Sequence, residues 1–335
     1  MISPSRTLLA LLTEHRPAPE ERMRVDGWRP AQPLPVGSPF RVLSWNLQFC
    51  GSREHHFFYD GGQACHVPAG DVAGTLAGVA GLLEAQAPDL CLLQEIDRDA
   101  DRTGRRDQLP VLVDGAAAAA SATATYHRSA YVPKPAHQPL GRVDLQLGLL
   151  SRAPLTGVVR HQLALKRSPR VVQAFDLKRC LLTGAVALAD GRALHVAVTH
   201  LSAFSYGDGT LDRQVRALEA WMASRPAGTP WVLGGDLNLL PPSDHGGRLS
   251  AEGDLYADDP NPMERLLPRF HEVFGADRQL ARESRTYLPF GAKEPDRKID
   301  YLFVGGPIEV RAARVVPELD LSDHLPLVAD LVVPA

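Results

Sequence analysis

The sequence is short of cysteine, of net charge and of long apolar runs, and each shortage excludes something. Four cysteines occur in 335 residues (Cys50, Cys65, Cys91 and Cys180), none in a C-x-x-C pair. That is too few for a disulfide framework. Cys91 and Cys180 lie inside apolar runs and read as small buried hydrophobes. No apolar run approaches the ~20 residues of a membrane-spanning helix. The patch from Thr7 to Leu12 is too short for a secretory core, is followed by Glu14, and precedes no cleavage pattern. Lys and Arg number 36 against 39 Asp and Glu, a net charge of −3. A general nucleic-acid coat would be basic, so avid non-specific DNA binding is disfavoured. A cytoplasmic, reducing setting is the expectation.

Apolar residues make up 44 % and charged residues 22 % of the chain, enough for a large core and against global disorder. Residues 1–39 read as an arm. Leu8, Leu9, Leu11 and Leu12 could make a helical turn or two, and the prolines from Pro17 to Pro39 then oppose regular structure. Residues 40–335 read as one domain. Strands are expected over 40–47, 90–96, 145–151, 157–163, 181–188, 194–200, 231–238, 299–304, 308–316 and 325–333. Helices are expected from a cap at Asp71, over 212–224 and over 263–270. The alanine-rich tract 115–125 reads as a surface helix or slack insertion. Apolar strands alternating with helices predict a layered α/β domain covered on both faces.

One pattern recurs: a short apolar strand runs into a polar residue at its C-terminal end. VLSW reaches Asn46, LCLLQ reaches Glu95, VAVT reaches His200, and WVLGG reaches Asp236 with Asn238 beyond it. Polar groups at strand ends converge above a sheet edge, where α/β proteins place ligands. Asp236 and Asn238, like Asn46 and Gln48, are two apart and point to one side of extended chain. Asp323-His324 sits just before a last apolar strand. Burying such a set is costly unless a cation and an anionic ligand complete it. Its oxygen-rich composition favours Mg²⁺ or Mn²⁺ over structural zinc, with Glu95 the first ligand and Asp323 the next. That chemistry suits metal-assisted attack of water on a phosphoryl group.

With these motifs in hand, the chain resembles the endonuclease/exonuclease/phosphatase superfamily, whose fold is that of DNase I. The matching segments are LSWNLQ (43–48), LLQEID (92–97), GLLSRAPL (148–155), VTHLSAF (198–204), GGDLNLLP (234–241), KIDYLFV (298–304) and SDHLPLVADL (322–331), in the family's order. The resemblance implies a four-layer α/β/β/α sandwich of two mixed sheets. It implies one or two metal ions at Glu95, with Asn46, Gln48 and Asp323 nearby. Asp236 and Asn238 would orient or activate water, and His200 and His324 would contact phosphate oxygens. Asp300 would fix the tautomer of His324. His200 stands where apurinic-site endonucleases of the family carry Asn, and KIDYLFV lacks the Trp-x-Asp-Arg of inositol 5-phosphatases. Both branches are disfavoured; the I-D-Y form is more like sphingomyelinases, deadenylases and bacterial members of unassigned substrate.

The loop 51–70 follows Asn46 directly and is expected to overhang the site, with Phe57, Phe58 and Tyr59 as a wall. His55, His56, Tyr59 and Arg179 are candidate substrate contacts. His55, His56, Cys65 and His66 fit no standard zinc motif. The basic run from Arg160 to Arg179 reads first as a solvated face and second as a strip guiding a polyanion. The expected activity is hydrolysis of a small or lipid-linked phosphate ester. A nuclease and a non-catalytic binding protein are the alternatives, and nucleic acid is a possible but disfavoured partner.

Overall fold

The computed structural model describes Leu8 and residues 14–204, 207–244, 246, 249, 252–256 and 260–335. Leu9, Leu11 and Leu12 of the expected N-terminal turn lie outside the described residues. Two seven-stranded sheets form. One contains β3 (Phe40–Asn46), β4 (Leu90–Asp97), β5 (Ala120–Val132), β6 (Gly141–Ser151), β13 (Glu309–Val315) and β14 (Leu327–Val332). The other contains β7 (Leu155–Gln162), β8 (Cys180–Ala187), β9 (Ala193–His200), β10 (Trp231–Asp236), β11 (His271–Glu272) and β12 (Asp300–Gly305).

Alternation along each strand builds the layers. In β3 and β4, Val42, Leu90 and Leu92 face the other sheet, while Leu43, Trp45, Cys91 and Leu93 face outward. The outward set is covered by α1 (Ala69–Gln86) and α2 (Leu109–Gly115), through Leu76, Val79, Leu83 and Leu112. In the second sheet, Val196, Val198, Val232 and Leu302 point inward. Ala197, Leu233 and Phe303 pack outward against Val215, Leu218 and Met222 of α3 (Thr210–Ala223). Each fully buried side chain of this kind contributes about 1.5–3 kcal/mol. The result is the α/β/β/α sandwich that the motifs implied.

The arm is tied to both sheets. Between its prolines, β1 (Glu20–Arg22) pairs with β7 and β2 (Asp26–Gly27) pairs with β5. Proline density limited these strands to three and two residues rather than preventing them.

Several sequence expectations are corrected. The alanine-rich tract is neither helix nor slack: its second half opens β5, and Ala120, Ala122 and Ala124 are buried between the sheets. Tertiary burial overrides alanine's helical preference there. Asp71 is not a cap. α1 starts two residues earlier after Pro68, leaving Asp71 in its first turn. The helix expected over 263–270 shrinks to a 3-10 turn, Pro262–Arg265, capped by the Asn261 side chain. α2 was not foreseen.

Candidate active site

Register assembles the site before any side chain is considered. Asp236 at the end of β10 lies between His200 of parallel β9 and Asp300 of antiparallel β12, so three chemical residues form one row. Gly234 and Gly235 make this possible. A Cβ on Gly235 (φ 147°) would sit 2.0 Å from the Thr199 carbonyl oxygen, and one on Gly234 would sit 2.8 Å from Leu92 and Leu302. The other sheet contributes Asn46, whose Nδ2 donates to Asp236 Oδ2 at 3.0 Å and links the two sheets.

Glu95 is aimed by a bulge. The β4–β6 register shifts between Leu93 and Ile96, and Glu95 adopts φ 60°. A left-handed acidic residue inside a strand is strained, and bulges re-aim side chains in this way. Its Oε1 lies 3.7 Å from His200 Nδ1. Asn238 is also left-handed (φ 51°), its N–H donating to Asp236 Oδ1 at 2.9 Å. The turn 322–324 is locked to β3: Ser322 Oγ donates to the Asn46 carbonyl and Trp45 Nε1 to the His324 carbonyl, both at 2.8 Å.

The polar centre is a chain. Asp300 Oδ2 accepts from His324 Nδ1 at 2.8 Å, and His324 Nε2 lies 3.6 Å from Asp236 Oδ2. His200 Nε2 lies 3.1 Å from the same oxygen, and the Tyr126 hydroxyl lies 3.4 Å from His200 Nδ1. Burial lowers the His200 pKa, helped by Arg179 and opposed by Asp236 and Glu95. Burial opposes charge on His324 too, but Asp300 and Asp236 prevail and raise it to about 10. Burial likewise opposes ionisation of Asp236, and the two imidazoles overcome it, holding this carboxyl well below the usual range.

A cavity of about 330 Å³ opens over this centre. Asn46, Glu95, His200, Asp236, Asn238, Asp323 and His324 line it, as do Tyr59 and Arg179. Asp300 stands behind His324. Gln48 lies behind Asp323, its Oε1 accepting the Asp323 N–H at 3.3 Å. His55 and His56 do not line it. His55 Nε2 bonds Asp71, His56 Nε2 donates to the Asp60 carbonyl, and the His56 ring stacks on Phe290. Of the expected wall, Phe58 and Tyr59 face the cavity, while Phe57 is in the core beside Phe49. The histidines and cysteine of the loop take separate partners. Among the described residues, the one group of His, Cys, Asp or Glu ligand atoms within 4.8 Å is Asp236, Asp300 and His324. The 2.8 Å hydrogen bond accounts for most of that closeness.

The donor set on the Glu95 side fits a hard cation. Burial, together with Glu95 and only partly offset by His324, raises the Asp323 carboxyl to about 7. Among the described residues neither Glu95 nor Asp323 forms an ion pair with Lys or Arg. The basic run is the expected solvated face only in part, at the exposed Arg167. Arg160, Lys178 and Arg179 are buried, and Glu14 and Glu21 of the arm approach Lys178 and Arg160. Arg102 also lines the cavity and was missed, because nothing marks a lone arginine five residues after Asp97 as a site residue.

A family model described as "Endonuclease/Exonuclease/phosphatase family" matches residues 43–324. No curated protein sequence matches the chain. Among solved structures, an endonuclease/exonuclease/phosphatase from Beutenbergia cavernae superposes with a TM-score of 0.60 at 23% identity, covering 89% of this chain and 72% of that one. The human Nocturnin catalytic domain with bound sulfate gives 0.54 at 16%, covering 92% and 96%. D. rerio TDP2 complexed with a single-strand DNA product gives 0.53 at 15%, covering 88% and 99%. With the motifs in order, two seven-stranded sheets and the model matched across nearly all of the main domain, the chain belongs to the endonuclease/exonuclease/phosphatase family.

Proposed function

We propose that the protein is a divalent-metal-dependent hydrolase of a small or lipid-linked phosphate ester. The observation that carries this is Asp236, held anionic between two buried imidazoles on the floor of a cavity that also contains Glu95. A carboxylate held so far below its usual range is a weak base, so Asp236 and Asn238 orient the attacking water more than they deprotonate it. His324, doubly protonated and fixed by Asp300, donates to a phosphoryl oxygen as charge grows there. His200, whose protonation burial disfavours, lies beside it. Glu95 and Asp323, with Asn46 and Gln48 next to them, are the residues that would hold Mg²⁺ or Mn²⁺. Such an ion would polarise the phosphoryl oxygen and lower the pKa of bound water.

A walled cavity with Leu140, Leu145 and Leu177 on its lining favours a compact or lipid-linked ester over a long polynucleotide. The nuclease reading draws on the aromatic side chains of Phe58 and Tyr59 at the cavity. Assay of bis-p-nitrophenyl phosphate, sphingomyelin, single-stranded DNA and RNA, each with Mg²⁺ or Mn²⁺, separates the readings. The proposal expects metal-dependent cleavage of the small or lipid ester. Faster cleavage of DNA or RNA would favour the nuclease, and no cleavage of any ester would overturn both.

A further inference from the structure

Two guanidinium groups line the cavity, and one of them has no counter-ion among the described residues. Arg102 is satisfied: Nε and Nη2 form a fork on the buried Asp97 carboxylate at 2.8 and 2.9 Å, and its carbon lies 3.6 Å from the Phe49 ring centre. Arg179, immediately before β8, is 7% exposed. Its carbon lies 5.2 Å from the Tyr126 ring centre, and its Nη1 is buried without any hydrogen-bond partner. Among the described residues Arg179 forms no ion pair with a carboxylate.

Buried donors without acceptors are rare and costly, and a buried cation without an anion more so. The arginine is therefore an anomaly in an apoprotein and ordinary in a complex with an anion. Both guanidiniums oppose protonation of His127, which burial first of all pushes down to about 3, so this ring adds no further positive charge. The phosphoryl group being cut is already served by the imidazoles and Asn238.

We propose that Arg179 forms a second anion subsite in this cavity, so that the preferred substrate carries a second phosphoryl group besides the one that is hydrolysed. This rests on the hydrolase reading above. A phosphoryl group suits the site, because two of its oxygens can meet the planar Arg179 fork bidentately.

The full-length protein tests this in two arms. In the first, inorganic pyrophosphate and inorganic phosphate are titrated calorimetrically into the wild type, R179K and R179M without metal. Wild type binds pyrophosphate more tightly than phosphate, R179M loses about tenfold of that affinity, and R179K keeps part of it. In the second, kcat/KM is compared for bis-p-nitrophenyl phosphate and for a p-nitrophenyl phosphodiester whose alcohol bears a phosphomonoester. Wild type prefers the second substrate, and R179M erases the preference. Equal binding of the two anions, or a preference unchanged in R179M, overturns the subsite. If no ester is cut at all, the hydrolase reading fails, and the pyrophosphate titration alone decides whether the subsite exists. R179K retains the charge and decides the matter should R179M not fold.

Discussion

The two halves of the cavity floor are built differently. On the Asp236 side every charge has a protein partner: Asp236 lies between two imidazoles, accepts from Asn46 and the Asn238 N–H, and Asp300 backs His324. On the Glu95 side, the partly exposed Glu95 and the buried Asp323 line the same cavity with no Lys or Arg ion pair among the described residues, and Asp323 is forced toward its neutral form. A preorganised half does its work by being already in place. A half with surplus negative charge is completed from outside. That contrast separates residues whose loss should damage the chemical step from residues whose loss should damage assembly.

The largest effect is expected on the preorganised side. Asp236→Ala or His324→Ala should lower kcat on the order of a hundredfold or more, with the metal requirement little changed. Circular dichroism should show an intact fold. Turnover near wild type in either variant would erase the distinction between the halves. Glu95→Gln should act differently. It keeps the shape and removes the charge, so the half-saturating metal concentration should rise at least ~10-fold. An unaltered metal titration would remove Glu95 from the cation's reach.

The pH dependence of metal binding sharpens the comparison. A carboxyl must lose its proton to bind a cation, and Asp323 holds its proton up to about 7. The folded value lies above the ordinary carboxyl value of 3.8, so without metal this group's contribution to stability is greatest below that value and is lost as pH rises toward 7. Metal affinity has the opposite slope. It should fall about tenfold per pH unit below 7 and level off above it. Asp323→Asn should flatten that profile. A wild-type profile already flat between pH 5 and 7 would show that Asp323 does not gate the ion.

The strand ends were legible because two simple periodicities coincide there: alternating burial fixes which face a residue takes, and the last residue of a buried strand is where a polar side chain is tolerated. Asn46, His200 and Asp236 follow from that alone. Glu95 was legible as a strand-end acid, but the bulge that turns it toward His200 was not, since a register shift depends on the partner strand β6. The alanine tract misled because its small side chains fit the space between two sheets that composition cannot reveal. His55 and His56 were placed at the site by proximity in sequence, whereas each ring instead takes a nearby oxygen and pins the loop. The ends of the basic run were misread because their cover comes from the arm, more than a hundred residues away in sequence.

The smallest effect tests the cavity wall, where the loop divides its aromatic residues by burial. Tyr59 is 50% exposed, stacks on Phe57 with ring centres 5.4 Å apart, and accepts from Gln48 Nε2 at 3.4 Å. Phe57 is buried to 2% in the inter-sheet core. Tyr59→Ala removes a ring that faces the substrate's space and leaves the floor intact. KM should rise roughly two- to tenfold with kcat little changed, the range that one aromatic contact is worth. Phe57→Ala should instead cost about 3–5 kcal/mol of stability, read as a lowered melting temperature. If the two variants behave alike, with both losing stability and neither shifting KM, the loop is only core packing. The cavity's specificity would then rest on the floor and on the arginines alone.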